Sequence, residues 1–401
     1  MSARVLYAWL EGRPVGVFAQ SADGTVEFSY DEDAPPTPVS LSLPREGGWP
    51  RSAPYRFLDN LLPDDHRARR RMAYDACAES DSVMDLLAVL GGDVAGGLVL
   101  ASTDEYPARP DAPLIPMSDD DIAHRIATLR AEPDRWLDRE LSGGRFSLAG
   151  AQAKFAMTRR DGGWYLPSAA APSTHIIKPS TGEFPDVDVV EAATMRLAGL
   201  AGMPAPRAGL VTVLGQQAYM VERFDRDGST RLHTEDLAQA LGIAPDEKYA
   251  VTAPRAVAVL HRVDPSDELA YAFVRALALH VAVGDADAHA KNYSVFLRPG
   301  AVSLTPVYDA LTTLYWASLS LRLAMPVAGA VRSEDVTPDD WAELARECGL
   351  APDRVVTIAQ DTSRAVLAAA DQAYEGVPGP VHERLTSALA RANTGMRWFA
   401  G

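Results

Sequence analysis

One short run, Gly284-Asp-Ala-Asp287-Ala-His289-Ala-Lys291-Asn292, concentrates carboxylate, imidazole, ammonium and carboxamide groups in a single loop-length segment. Asp287 has the chemistry to accept a proton from a hydroxyl. Asn292, together with Asp309 in Val307-Tyr-Asp309, offers the hard oxygen donors that magnesium prefers. Between them, a strand over 293–297, a turn at Arg298-Pro-Gly300 and a returning strand over 302–305 predict a hairpin that carries Asp309 back beside Asn292. The competing reading is a turn that favours Asp and Asn for conformational reasons alone.

Asp287 precedes Asn292 by the interval found in protein-kinase catalytic loops, where the Asp takes the hydroxyl proton and the Asn ligates a metal. Asp309 would then be the main metal carboxylate. Upstream, Ser173-Thr-His-Ile-Ile-Lys178 reads as a β-branched strand ending in a lysine able to hold phosphates. Glu191, in a predicted helix over 187–200, could orient that lysine, although Asp188-x-x-Glu191 also fits helix capping. The loop 143–154, with Gly150, Ala151 and Gln152, is small enough for its backbone N–H groups to approach phosphates, but it matches neither common glycine-rich motif. The segment 218–225 reads as a buried strand running into a charged turn; it could give main-chain bonds to adenine, or be core alone. His289 is expected to brace its loop. Lys291 either neutralises phosphate charge or is solvated. His233 is expected to precede a helix capped by Thr234, with no chemistry of its own.

The elements that must position these groups follow from periodicity. Strands are expected at 5–10, 14–18 and 25–30, then a helix with apolar residues at 83, 86, 87 and 90 that stops at Gly91-Gly92. Prolines 107, 110, 113 and 116 mark a linker, and Ser118-Asp-Asp-Asp121 has capping-box spacing for a helix through Leu129. From about 234 the chain reads as mainly helical. The fold class is therefore α+β: an N-terminal subdomain over 1–106, a linker over 107–117, an N-lobe-like region over 118–225 and a helical C-terminal lobe over 226–401.

The 401 residues carry 38 Lys and Arg against 54 Asp and Glu, a net charge of −16 that disfavours direct, non-specific contact with nucleic acid. The two cysteines, Cys77 and Cys348, build neither a zinc site nor a disulfide framework, which fits a reducing cytoplasm. No run of 18 apolar residues is present, and the N-terminus reads as a strand rather than a signal peptide, so no membrane association is expected.

Read in order, Ser147-Leu-Ala-Gly-Ala-Gln-Ala-Lys154, Thr174-His-Ile-Ile-Lys178, Val221-Glu-Arg-Phe-Asp225, Gly284 to Asn292 and Leu304-Thr-Pro-Val-Tyr-Asp309 resemble the HipA family of bacterial toxin kinases. Phe57-Leu-Asp-Asn-Leu-Leu-Pro63 and Leu90-Gly-Gly-Asp-Val-Ala-Gly97 are similar to that family's N-terminal domain. The resemblance implies an ATP- and magnesium-dependent serine/threonine kinase, the toxin of a toxin–antitoxin module. It further implies a HipB-like helix-turn-helix antitoxin as partner, DNA contact only through that antitoxin, and a translation-related protein substrate such as an aminoacyl-tRNA synthetase, glutamyl-tRNA synthetase above all. On this resemblance Asp287 is the catalytic base and Lys178 the phosphate-binding lysine. Glu222 and Phe224 form the adenine hinge, Gly150, Ala151, Gln152, His289 and Lys291 lie against the nucleotide, and Asn292 and Asp309 hold magnesium. Ser147 is the autophosphorylated serine, whose modification expels the phosphate loop, and charge repulsion supports that inactivation.

Two departures stand out. Ala153 occupies a position usually held by Glu, and Asp285 one often held by Asn or Ala; the added carboxylate would raise the pKa of Asp287 or recruit further metal. The alternatives are a small-molecule phosphotransferase and a catalytically silent co-repressor that binds an antitoxin.

Overall fold

The computed structural model describes residues 4–107, 113–139 and 144–396. Part of the expected linker and Gly143 lie outside these. The chain divides into two compact units. The first comprises 1–185, 210–246 and 296–301, and the second 186–209, 247–295 and 302–401.

In the first unit, Arg4–Leu10, Arg13–Gln20 and Val26–Tyr30 form an antiparallel meander, and Val99–Ala101 pairs with the free side of Arg4–Leu10. The turn at Glu11-Gly12 places both residues in the left-handed region, the combination that matches hairpin twist. Gly16 has no room for a side chain: a Cβ there would sit 2.2 Å from the carbonyl of Ser29 on the neighbouring strand. Helices Ala53–Asp59 and Val83–Leu90 pack against this sheet through Phe57, Leu58, Leu86, Leu87 and Leu90, all buried. Ser82 caps the second of these helices, and Gly91 ends it, as the sequence predicts.

A second sheet has the order Gly163–Tyr165, Phe155–Arg160, His175–Lys178, Gln216–Glu222, Ala208–Val213. Helix Asp119–Ala131 begins with a Ser118–Asp121 capping box and lies against Gln216–Glu222. One continuous apolar cluster runs from Leu6 and Phe18 through Leu62 and Trp136 to Phe155, Ile177 and Ala218, so both sheets share a core.

The second unit is helical: Val187–Leu200, Ala253–His261, Glu268–Val283, Pro338–Glu347, Pro352–Ala373 and Gly379–Ala392. Glu268–Val283 is apolar on nearly every side and buried along most of its length, the mark of a central helix. Gly284 ends it at φ +71°, a conformation that favours glycine. The chain then enters the 284–292 loop.

Three local expectations need correction. Thr234 does not cap a helix: Thr234–Asp236 is a short strand, and Asp236 caps Leu237–Ala240 in a reciprocal box with Gln239. Asp188 and Glu191 do not form a cap either, because the Ncap of Val187–Leu200 is Asp186, in left-handed geometry and without a side-chain cap bond. The strand ending at Lys178 begins at His175; before it, Ser173 donates its N–H to Asp93 and Thr174 donates its N–H to the carbonyl of Met157.

Candidate active site

The predicted hairpin is present, as Ser294–Arg298 and Ala301–Leu304, and the returning chain places Asp309 beside Asn292. Nδ2 of Asn292 donates to Oδ2 of Asp309 at 3.2 Å, while its Oδ1 accepts from the backbone N–H of His289 at 3.1 Å. The carboxamide is thereby held between the two halves of the site. Asp309 takes φ +56°, an uncommon conformation for any residue but glycine and one associated with functional positions.

Asp287 projects from the same loop with solvent access. Oδ1 accepts from the hydroxyl of Tyr249 at 2.8 Å. Crowding that strips its water is the main influence on its carboxyl, which rises to about 6. The Asp285 carboxylate adds to this rise and Asp309 adds less, while the Tyr249 hydroxyl and the Lys248 ammonium oppose it.

Asp285 thus does raise its neighbour's pKa. It does not offer itself to a second metal, because both oxygens are turned inward and committed. Oδ2 accepts from Nδ1 of His280 at 2.8 Å and from the N–H of Leu311 at 3.3 Å, and Oδ1 accepts from the N–H of Asp287 at 3.0 Å. One buried carboxylate therefore ties the 284–292 loop to the segment just after Asp309. The ring of His289 lies edge-on to Tyr249 at 5.0 Å. Lys291 is buried rather than solvated, and its carbonyl accepts from the Tyr308 hydroxyl at 2.6 Å.

Asn292 and Asp309 supply a carboxamide and a carboxylate of hard-oxygen chemistry in contact with each other. The donor set fits magnesium.

Within the first unit, Lys178 is buried at the end of its strand, opposite Tyr219 in register, with its ammonium 5.8 Å from that ring. Glu222 and Phe224 alternate with Arg223 and Asp225, and this alternation separates two roles. Arg223 and Asp225 point into the protein and form a network with Asp93, Arg226 and Ser173. Arg223 donates twice to Asp225, at 2.9 and 2.7 Å, and once to Ser173, while Arg226 donates to Asp93 at 3.0 Å. Burial alone would raise the Asp225 carboxyl, but the two guanidinium groups and the N–H of Gly96 hold it well below the usual carboxylate range. Glu222 and Phe224 are half-buried; Glu222 lies 3.9 Å from His175, and Phe224 meets Phe296 edge-on at 6.1 Å.

In the 144–154 loop, Ser147 is fully buried. Its Oγ donates to the carbonyl of Leu61 at 2.8 Å, and its N–H to that of Asp93 at 2.9 Å. Gly150 takes φ +102°, and a Cβ there would meet the Lys154 ammonium at 2.7 Å. Ala151 is exposed and Gln152 half-buried, whereas Ala153 belongs to the apolar core, so a Glu at that position would carry its carboxylate toward the core.

Sequence reasoning missed Tyr249, Lys248, His280 and the Asp93–Arg223–Asp225–Arg226 network. The alternation of charge in Val221-Glu-Arg-Phe-Asp-Arg226 was a legible signal for the network; nothing in spacing pointed to Tyr249.

An α+β chain that carries, in chain order, a lysine-ended strand, a solvent-accessible Asp and an Asn–Asp pair has the composition of a kinase. Residues 146–370, more than half of the chain, match the HipA-like C-terminal domain, and residues 6–101 match the HipA N-terminal domain. The chain is 34% identical over 391 residues to protein Y4mE of Sinorhizobium fredii, covering 91% of this chain and 92% of that one. It is 26% identical over 325 residues to the serine/threonine-protein kinase toxin HipA of Shewanella oneidensis, covering 75% and 73%. A solved structure of HipA from Shewanella oneidensis MR-1, in complex with HipB and operator DNA, superposes with a TM-score of 0.81 at 22% identity, covering 96% of this chain and 97% of that one. The chain belongs to the HipA family of serine/threonine-protein kinase toxins. Among the described residues no helix is long and apolar enough to cross a membrane.

Proposed function

We propose that this chain is an ATP- and magnesium-dependent protein serine/threonine kinase, acting in the cytoplasm as the toxin of a toxin–antitoxin module. Its target is a translation-related protein, with glutamyl-tRNA synthetase as the first candidate, and it phosphorylates itself at Ser147. A HipB-like helix-turn-helix antitoxin is its partner, which leaves DNA contact to that protein; the net charge of −16 favours this division.

The observation that carries the reading is the approach of Asn292 to Asp309 in the loop system that also presents Asp287. Asp287 takes the proton of the acceptor hydroxyl. Asn292 and Asp309 hold magnesium, which when bound neutralises charge on the transferring phosphoryl group. Lys178 binds phosphate oxygens, and Gly150, Ala151, Gln152, His289 and Lys291 line the nucleotide. Glu222 and Phe224 offer main-chain bonds to adenine while the ion network behind them fixes the strand end. The division of the chain at 106, 117 and 225 belongs to the same proposal.

The test is expression of the wild type and of Asp287→Asn in a sensitive host, followed by phosphoproteomics. The wild type is expected to arrest growth and to add phosphate to a small set of translation proteins, and the variant to do neither. Equal toxicity from both would count against killing by phosphorylation.

A further inference from the structure

We infer that Tyr249 is a positioning residue for phosphoryl transfer: it holds Oδ1 of Asp287 and so leaves Oδ2 to the acceptor hydroxyl. This rests on the reading of Asp287 as the catalytic base. Tyr249 lies in the 3₁₀ segment Pro245–Ala250, an element separate from the 284–292 loop, and its hydroxyl donates to Oδ1 at 2.8 Å. Oδ2 of Asp287 has no hydrogen-bond partner among the described residues, so the two carboxylate oxygens are unequal. One is tethered and the other is open.

The tether is itself braced. The Tyr249 ring meets His289 edge-on at 5.0 Å, and the Lys248 ammonium lies 5.1 Å from the same ring. Tyr249 is 53% exposed, far more than a tyrosine needed for core packing, so its contribution is the hydroxyl. A carboxylate on a free rotor presents its oxygens in many directions. Fixing one of them preorganises the other for proton acceptance, which is how a residue that never touches substrate raises turnover.

The experiment uses the full-length chain, γ-labelled ATP and magnesium chloride, and follows both phosphate incorporation into the chain and ADP formation. Tyr249→Phe removes only the hydroxyl. The maximal rate is expected to fall about ten-fold, the magnitude of a hydrogen bond to a charged group. The ATP concentration for half-maximal rate should change less than about two-fold, since the group acts on the base rather than on nucleotide binding. The acid limb of the pH–rate profile should move to higher pH, because the carboxylate has lost a donor. The melting temperature should be unchanged.

An unchanged maximal rate and acid limb would overturn the inference. So would a fall in rate that tracks a fall in melting temperature with the acid limb in place, which is the mark of a structural role. Phosphate found on Tyr249 itself would make it an acceptor and would equally overturn the assignment. Absence of any transfer or ADP formation by the wild type is a different result, and it would contradict the proposed function instead.

Discussion

Asn292 and Asp309 are 17 positions apart in sequence, yet the carboxamide nitrogen of the first lies 3.2 Å from Oδ2 of the second. The hairpin between them supplies the approach, and the left-handed backbone of Asp309 supplies the aim. That conformation costs roughly 1 kcal/mol for a residue with a Cβ, less for Asp and Asn than for most.

Asp309→Asn is therefore expected to separate stability from binding. Asn accepts the left-handed region better than most residues and removes one of three neighbouring negative charges, so the melting temperature should hold or rise. Magnesium-dependent ATP binding, measured by calorimetry with and without chelator, should weaken at least about ten-fold, the loss expected when a charged metal ligand is removed. Unaltered binding would remove Asp309 from the metal site.

Much of this site is legible in sequence because its parts are local. The stop at Gly284, the five-position interval from Asp287 to Asn292 and the hairpin turn at Gly300 all obey short-range rules. Tyr249 is not legible: it reaches Asp287 across 38 positions through a chain reversal that no periodicity encodes. The same holds for Ser147, whose exposure cannot be read from a Gly- and Ala-rich string. Its burial arises from carbonyls at Leu61 and Asp93 brought in from the N-terminal elements. Thr234 is deceptive for a comparable reason: a cap-type residue before a polar run looks like a helix start, but Asp236 and Gln239 close the box two residues later.

Ser147 gives a second prediction. Ser147→Ala loses one neutral hydrogen bond, worth about 1 kcal/mol, and should leave amide exchange across 144–154 near the wild-type level. Ser147→Asp forces a carboxylate into a fully buried position without a matching cation. The loop should leave its place, with exchange and protease cleavage rising in that segment. Identical protection in both variants would argue against release by charge.

Glu235 predicts a pH dependence of stability. It is buried, accepts from Ser40 at 2.5 Å and from the N–H of Leu41 at 2.7 Å, and its burial pushes the carboxyl up to about 8. The folded state therefore retains a proton that the unfolded chain releases near pH 4.5. Stability falls as pH rises between about 4.5 and 8, by about 5 kcal/mol from this residue. Nearby His233 acts in the opposite sense: burial pulls it down to about 4, so it destabilises the fold as pH falls from about 6.5 toward 4. Glu235→Gln keeps both hydrogen bonds, with its amide donating to Ser40, and should flatten the high-pH decline in denaturant titrations. A decline of unchanged slope would assign it to other groups.

The ion network behind Glu222 and Phe224 predicts a large cost for breaking one partner. Arg223→Met leaves Asp225 buried with only part of its compensation and should destabilise the first unit by about 3–5 kcal/mol. Adding Asp225→Leu should recover part of that loss, because the stranded charge is gone. Chemical denaturation of the single and double variants measures both. A loss below about 1 kcal/mol in the single variant would mean that water reaches the network.

The central claim is that Asp287 serves phosphoryl transfer beside a magnesium site built from Asn292 and Asp309. Its most direct measurement is incubation of the purified full-length chain and of Asp287→Asn with γ-labelled ATP and magnesium. The account predicts label on the wild type, abolished by chelator, and at least about a hundred-fold less on the variant, the scale of general-base loss. Equal labelling of the two proteins would contradict it.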